Sequence, residues 1–181
     1  MIFFTSDLHF NDERLDVYSR DFRFNNSEEV DKAIVDGYNS MVEDNDTVYF
    51  LGDISMDKKG FENLNNMNGN KILIKGNYDK KYSDDFLLEY FDEVGDKAEL
   101  VLSNGEKVYL NHYPTEARAD LFNIVGHIHG CWKVQKNMLN VGVDAWHFKP
   151  VPEDKVLFQM NGIRNFYDEN VFAEDLPANK G

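Results

Sequence analysis

Residues 1–10 read Met-Ile-Phe-Phe-Thr-Ser-Asp-Leu-His-Phe. The run Ile2–Thr5 is short and rich in β-branched and aromatic residues, so it reads as a strand covered on both faces. It leads straight into Asp7 and His9, two side chains able to ligate a metal. In α/β sheets, ligands bind in the crevice beyond the carboxyl ends of the strands. The same pattern recurs outward along the chain. Thr47–Leu51 leads into Gly52-Asp53, Lys71–Ile74 into Gly76-Asn77, and Lys107–Leu110 into Asn111-His112. Asn123–Val125 leads into Gly126-His127-Ile128-His129. Further strands are expected at Met138–Val143 and Lys155–Met160.

Helical patterns lie between the first runs. From Glu28 to Val42 the apolar residues Val30, Ile34, Tyr38 and Met41 share one face. Asn26 followed by Glu29 resembles a capping box. Ser83 can cap a second helix burying Phe86, Leu87, Tyr90 and Phe91. A shorter helix is expected through Phe61, Leu64 and Met67. Strand and helix alternate in the first half, and strands dominate the second, which makes a layered α/β domain. One domain is expected over residues 1–170, with an irregular polar tail over 171–181.

The chain has 181 residues, 42% of them hydrophobic, which suits one domain with a sizeable core. With 33 acidic and 19 basic residues the formal net charge is −14. Such a surface repels phosphate backbones and anionic membranes, so no non-specific duplex binding and no membrane partner are expected. Cys131 is the single cysteine, which excludes an intramolecular disulfide and favours a reducing, cytoplasmic setting. The N-terminus lacks a basic flank and long apolar run, and no stretch approaches the roughly 20 apolar residues of a membrane span.

Asp7 and His9 are i and i+2, as are His127 and His129. In an extended chain such pairs point to one side, with Cα atoms about 6.6 Å apart. Four of the five histidines fall in the strand-end clusters. Carboxylate, imidazole and amide oxygen without thiolate suit Mn²⁺, Fe²⁺ or Zn²⁺, and Mg²⁺ alone less well. A single Gly-Asp or Gly-Asn pair is ordinarily a turn. The ordered set of five clusters is what points to metal-dependent chemistry.

That ordered set resembles the calcineurin-like metallophosphoesterase superfamily: Asp-x-His, Gly-Asp, Gly-Asn-His-Asp, a lone His, then Gly-His-x-His, over about residues 1–152. The stretches Thr5–Phe10, Tyr49–Asp53, His112-Tyr113-Pro114 and Asn140–Trp146 look like a small bacterial and phage branch of it. The resemblance implies a four-layer α/β/β/α sandwich with two mixed sheets and a dinuclear site. It implies Asp7, His9, Asp53 and His129 on one ion, and Asp53, Asn77, His112 and His127 on the other. Asp53 would bridge two divalent ions, Mn²⁺ foremost and Fe²⁺, Zn²⁺ or Ni²⁺ as alternatives. A metal-bound hydroxide would then hydrolyse phosphodiesters or nucleotide-type phosphoesters. The two ions would also make the cleft locally positive within an acidic protein.

The third block departs from the pattern, reading Gly76-Asn77-Tyr78-Asp79. In the family the residue at 78 is a His that protonates the leaving group, and Asp79 would orient it. The resemblance thus implies a catalytic set of Asp53, Asn77, Tyr78 and Asp79 with a changed acid. A phenol is a weak acid, with a reference pKa of about 10, and losing a general acid costs roughly 10²–10⁴-fold. Esters with acidic leaving groups are therefore the expected substrates. Phe10-Asn11-Asp12-Glu13 also departs from the related branch, beside the substrate pocket. Asn11 and Arg118 are the substrate-binding candidates, with Arg14, Arg20 and Arg23 behind them. Asp144 could hydrogen-bond a ligand His or cap a turn. Trp132 and Trp146 could rim the pocket or pack. His147 and Cys131 read as bystanders. Two other functions compete: a non-catalytic metal- or nucleotide-binding module, suggested by Tyr78, and a protein phosphatase, for which the chain leaves little room.

Overall fold

The computed structural model describes residues 1–166, so the tail expected over 171–181 lies outside the described residues. Two five-stranded mixed sheets face one another. The strands are β1 (Ile2–Thr5), β2 (Thr47–Phe50), β3 (Asn70–Ile74), β4 (Glu93–Gly95), β5 (Lys97–Val101), β6 (Lys107–Asn111), β7 (Phe122–Val125), β8 (Val134–Gln135), β9 (Met138–Asn140) and β10 (Val151–Pro152). The first sheet has the order β10-β1-β2-β3-β4, the second β5-β6-β7-β9-β8. β1 to β4 run parallel with β10 antiparallel at the edge. In the second sheet β6, β7 and β9 are parallel, and β5 and β8 are antiparallel edges.

Helix α1 (Ser27–Asn39) lies on the first sheet. Its buried Val30, Ile34 and Tyr38 recur every four residues and pack with Phe3, Val48, Phe50 and Leu73. The Asn26 side chain accepts from the Glu29 N–H at 2.9 Å, a cap worth about 1 kcal/mol. Glu29 reaches back to the Asn25 N–H, one residue before the box expected. Ser83 caps only a single turn, α2 (Asp84–Leu87), and the segment through Phe61 and Leu64 is a 3-10 helix.

The inter-sheet core joins Phe4, Leu51 and Ile74 to Val108, Leu110, Phe122, Ile124 and Leu139. Lys155–Met160, expected as a strand, lies instead in helix α3 (Glu153–Phe166). Val156 and Met160 are buried one turn apart, while Phe158, which makes the run look alternating, is exposed. Glu153 and Asp154 occupy the first turn, where acids favour a helix start. α3 shares the inter-sheet core with Val151 and Phe4 rather than lying on the outward face of the second sheet. On that face the Arg118 guanidinium lies over Tyr109, and the Asn123 side chain accepts from the Arg118 N–H. The strand expected over Met138–Val143 stops at Asn140, because the chain turns at Gly142 into a 3-10 helix over Val143–Trp146. β4, β5, β8 and β10 carry no strong sequence pattern and were not anticipated. No helix among the described residues is long and apolar enough to cross a membrane.

Candidate metal centre

Parallel strands of both sheets deliver their carboxyl ends to one place. β1 is followed by Asp7 and His9, β2 by Asp53, β3 by Asn77, β6 by His112 and β7 by His127. The pairs spaced i, i+2 do not converge by extended alternation, as the sequence suggested. Asp7, His9, Asp53, His127 and His129 all have left-handed backbones, with φ of 57°, 49°, 56°, 74° and 49°. Asp and His enter this region more readily than most residues, at a cost of order 1–3 kcal/mol each. Backbone bonds continue the parallel ladder past the strand ends and hold it: Asp7 N–H to Gly52 C=O, His9 N–H to Asp53 C=O and Phe10 N–H to Ile54 C=O. Two glycines permit close approach. A Cβ on Gly76 would lie 2.3 Å from Asp53 Oδ1, and one on Gly126 would lie 1.9 Å from Ser6 Oγ.

The side chains form two adjoining groups. Asp7, His9 and His129 place one donor atom each within 4.8 Å of one another, and Asp53, His112 and His127 do the same. Asp53 stands between them, with Oδ2 3.6 Å from His9 Nε2 and 3.5 Å from His112 Nε2. Asn77 Oδ1 lies 3.2 Å from His112 Nε2, which is 3.1 Å from His127 Nδ1. His9 is 2% exposed, and its Nε2 is a buried atom with no hydrogen-bond partner. Leaving such an atom unsatisfied costs about 1–3 kcal/mol. A cation between Asp7, His9, Asp53 and His129 would satisfy it. The donors fit a pair of borderline divalent ions.

A second ring of groups orients these donors. His112 Nδ1 is 2.6 Å from the Leu51 carbonyl, which can only accept, so Nδ1 carries a proton and, in the neutral ring, Nε2 presents its lone pair. His129 Nδ1 lies 3.1 Å from Asp144 Oδ2, so Asp144 engages a candidate ligand His and also lies in the first turn of a short helix. Arg20 is the largest fully buried side chain. Its Nε and Nη2 donate to Asp144 at 2.7 and 3.0 Å, and its other donations reach the Asp7 and Leu8 carbonyls. It is thus a structural bracket and not a phosphate grip. Asp79 does not orient residue 78; its buried carboxylate accepts from the N–H groups of Asp53, Ile54 and Gly76. Tyr78 donates its backbone N–H to Asp53 Oδ1, sets its ring edge-on to His9, and accepts from Arg14 Nη2 at its hydroxyl.

Burial and neighbouring charge set the protonation states. Burial raises Asp7 to about 6, although His112 and His129 pull it down. Burial lowers His9 to about 3, so its imidazole is neutral at neutral pH. Burial would raise Asp53, but the hydrogen bond and charge of His112 hold it below the ordinary range. His112 is raised in turn, with Asp53 overcoming its burial. Burial and His112 both lower His127.

Other sequence candidates fall elsewhere. Arg118 pairs with Glu99 and Asp120 on the outward face of the second sheet. Asn11 donates its backbone N–H to Asp31 and its side-chain amide to Asp57, away from the ligands. Arg23 lies over Phe148. Trp146 donates to the Asn140 carbonyl and carries Lys133 on its ring. His147 and Cys131 are exposed. The reading missed Asp12 and Tyr18, which touch His9. Asp12 lies three residues beyond His9, a spacing too common to single out.

No family model matches the chain. The fold resembles that of the protein of unknown function AQ665 from Aquifex aeolicus, with a TM-score of 0.70 and 23% identity, covering 88% of this chain and 98% of that one. The uncharacterized protein MJ1445 of Methanocaldococcus jannaschii is 31% identical over 170 residues, which span 86% of this chain and 89% of that protein. At that identity and coverage, the chain belongs to the same protein family as MJ1445.

Proposed function

We propose that this protein is a dinuclear metal-dependent phosphoesterase of calcineurin-like fold, acting on phosphodiesters or nucleotide-type phosphoesters. The observation that carries the reading is Asp53 Oδ2 set between the Nε2 atoms of His9 and His112, at 3.6 and 3.5 Å, in a pocket where His9 Nε2 has no other partner. Asp7, His9, Asp53 and His129 would hold one ion, and Asp53, Asn77, His112 and His127 the other, with Mn²⁺ the best suited. Bound there, two divalent ions supply a water ionised near neutral pH and neutralise charge on phosphoryl oxygens.

The chain's own residues do the rest. Asp79 clamps the β2 and β3 loops together and so fixes Asp53 against Asn77. His127 and Asn77 are exposed, so substrate enters on their side. Cations stand at that rim: Arg14 beside Tyr78, Lys81 over the Tyr78 ring, and Lys80 over Tyr113, which packs against His127. They draw an anionic group toward the centre of a protein of net charge −14. Because Arg14 donates to the Tyr78 oxygen, the phenolic proton is left to face a substrate oxygen.

The test is initial-rate hydrolysis of bis-p-nitrophenyl phosphate with added Mn²⁺, with Asp53→Asn run alongside. Cation-dependent turnover in the wild type, lost in the variant, is expected. No turnover above the variant, in protein shown to hold Mn²⁺, would favour a binding module instead.

A further inference from the structure

We propose that Tyr18 is the positioning residue of the inner cation site: it accepts the hydrogen bond of His9 Nδ1–H, donates its own O–H to Asp12, and so turns the lone pair of His9 Nε2 toward the site. This rests on the dinuclear reading above. Tyr18 Oη lies 2.8 Å from Asp12 Oδ2, 3.3 Å from His9 Nδ1 and 3.1 Å from Arg14 Nη2. Arg14 donates only, and the Asp12 carboxylate accepts only. The Tyr18 oxygen can therefore accept from His9 while its single proton goes to Asp12.

The opposite assignment breaks the chain of donors. Were Tyr18 O–H to donate to His9 Nδ1, the Asp12 oxygen 2.8 Å away would lose its phenolic donor. Asp12 cannot replace the phenol, since its Oδ2 is 3.9 Å from His9 Nδ1. Asp12 is itself fixed by Arg14, whose Nε and Nη2 lie 2.9 and 2.7 Å from its two oxygens. The Tyr18 ring stacks on both ligand imidazoles of this site, with centroids 4.6 Å from His9 and 4.5 Å from His129. His129 has its Nδ1 engaged by Asp144. Both imidazoles of the inner site are therefore held through Nδ1, one by a carboxylate directly and one through an interposed phenol. Such partners of a ligand His carry roughly 10–100-fold in metal affinity.

The test uses the full chain and two readouts. Long-range ¹H–¹⁵N correlation of the metal-free protein reports the His9 tautomer, and calorimetric titration with Mn²⁺ reports affinity. Tyr18→Phe keeps the ring stack and removes the relay; the wild type should show an unprotonated Nε2. The variant should show protonated Nε2 in a substantial fraction and bind one of two Mn²⁺ ions about 10–100-fold more weakly. Asp12→Ala serves if Tyr18→Phe does not melt cooperatively. It removes the acceptor of the Tyr18 O–H, which then donates to His9 Nδ1 and moves the His9 proton to Nε2. A wild-type tautomer protonated at Nε2, or a variant with unchanged tautomer and affinity, would overturn the proposal. If the wild type binds no Mn²⁺, the dinuclear reading falls, and the metal-free tautomer still decides the role of Tyr18.

Discussion

The two halves of the candidate centre share Asp53 and differ in almost everything else. Around Asp7, His9 and His129, both imidazoles have a second partner, the fully buried Arg20 grips the loop carbonyls, and a tyrosine ring covers the stack. Around Asp53, His112 and His127, the backbone holds Asp53 and His112, while His127 and Asn77 face outward. The inner half is set before any cation arrives. The outer half is a buried floor with an open wall. Preorganisation costs folding energy, in strained dihedrals and buried polar groups, and under the dinuclear proposal it would serve a permanently held ion. Under the function proposed above, openness would suit the position that also meets substrate.

Arg20→Met should break the inner half most severely. It leaves the Asp144 carboxylate buried without its guanidinium and frees two loop carbonyls. Loss of one partner from a buried pair costs about 3–5 kcal/mol, which urea denaturation of the metal-free protein would read. A stability within error of wild type would mean that the inner half is not organised from Arg20.

Asp7→Asn should act in the other direction, and only at the higher pH. The folded carboxyl titrates near 6 instead of 3.8, so the metal-free fold retains a proton that the unfolded chain has lost. Asp7 therefore favours the fold below about pH 4, relative to higher pH, and that contribution is lost as pH rises through 6. His9, lowered to about 3, has the opposite slope, and the two offset each other between about pH 4 and 6. In chelator at pH 7 the variant should be more stable than wild type by up to about 2–3 kcal/mol. At pH 4 it should show no gain. A gain independent of pH would assign the effect to packing.

His127→Ala should have the smallest effect on folding and a clear effect on metal. The exposed side chain leaves the core intact, so the cost is at most about 1–2 kcal/mol, the strain of alanine at a left-handed φ of 74°. The Mn²⁺ stoichiometry should nevertheless fall from two to one by calorimetry, with the inner ion retained. Loss of both ions together would show that the halves bind as one unit.

Much of this centre was legible in the chain. The five strands that lead into candidate donors were marked by short apolar runs ending in Asp, His or Gly-Asn, and the structure puts each donor beyond a strand's carboxyl end. The side chains beside them were not legible. Arg118 was favoured over Arg14 because it follows His112 closely, yet it pairs with Glu99 across the second sheet. Arg20 looked like any surface arginine, since nothing near it in sequence announces a burial that depends on Asp144, 124 positions away. Asp79 was tied to residue 78 by a familiar pattern, and the structure ties it to three backbone amides instead. The run at 155–160 misled for a local reason: exposed Phe158 imitates alternation, while the buried Val156 and Met160 keep helical spacing.

What the sequence determined by itself is the set of donors and their order on the strands. Those depend on residue identity and on hydrophobic periodicity, which act over a few residues. What only the tertiary structure decided is how the donors are aimed. The left-handed turns at Asp7, His9 and Asp53 are held by backbone bonds between the loops after β1 and β2, and those at His127 and His129 by the Asp7 carboxylate and the Asn140 amide. The proton on His112 is placed by the carbonyl of Leu51, 61 residues away. The aim of a ligand is a property of contacts between distant segments, and no local pattern encodes it.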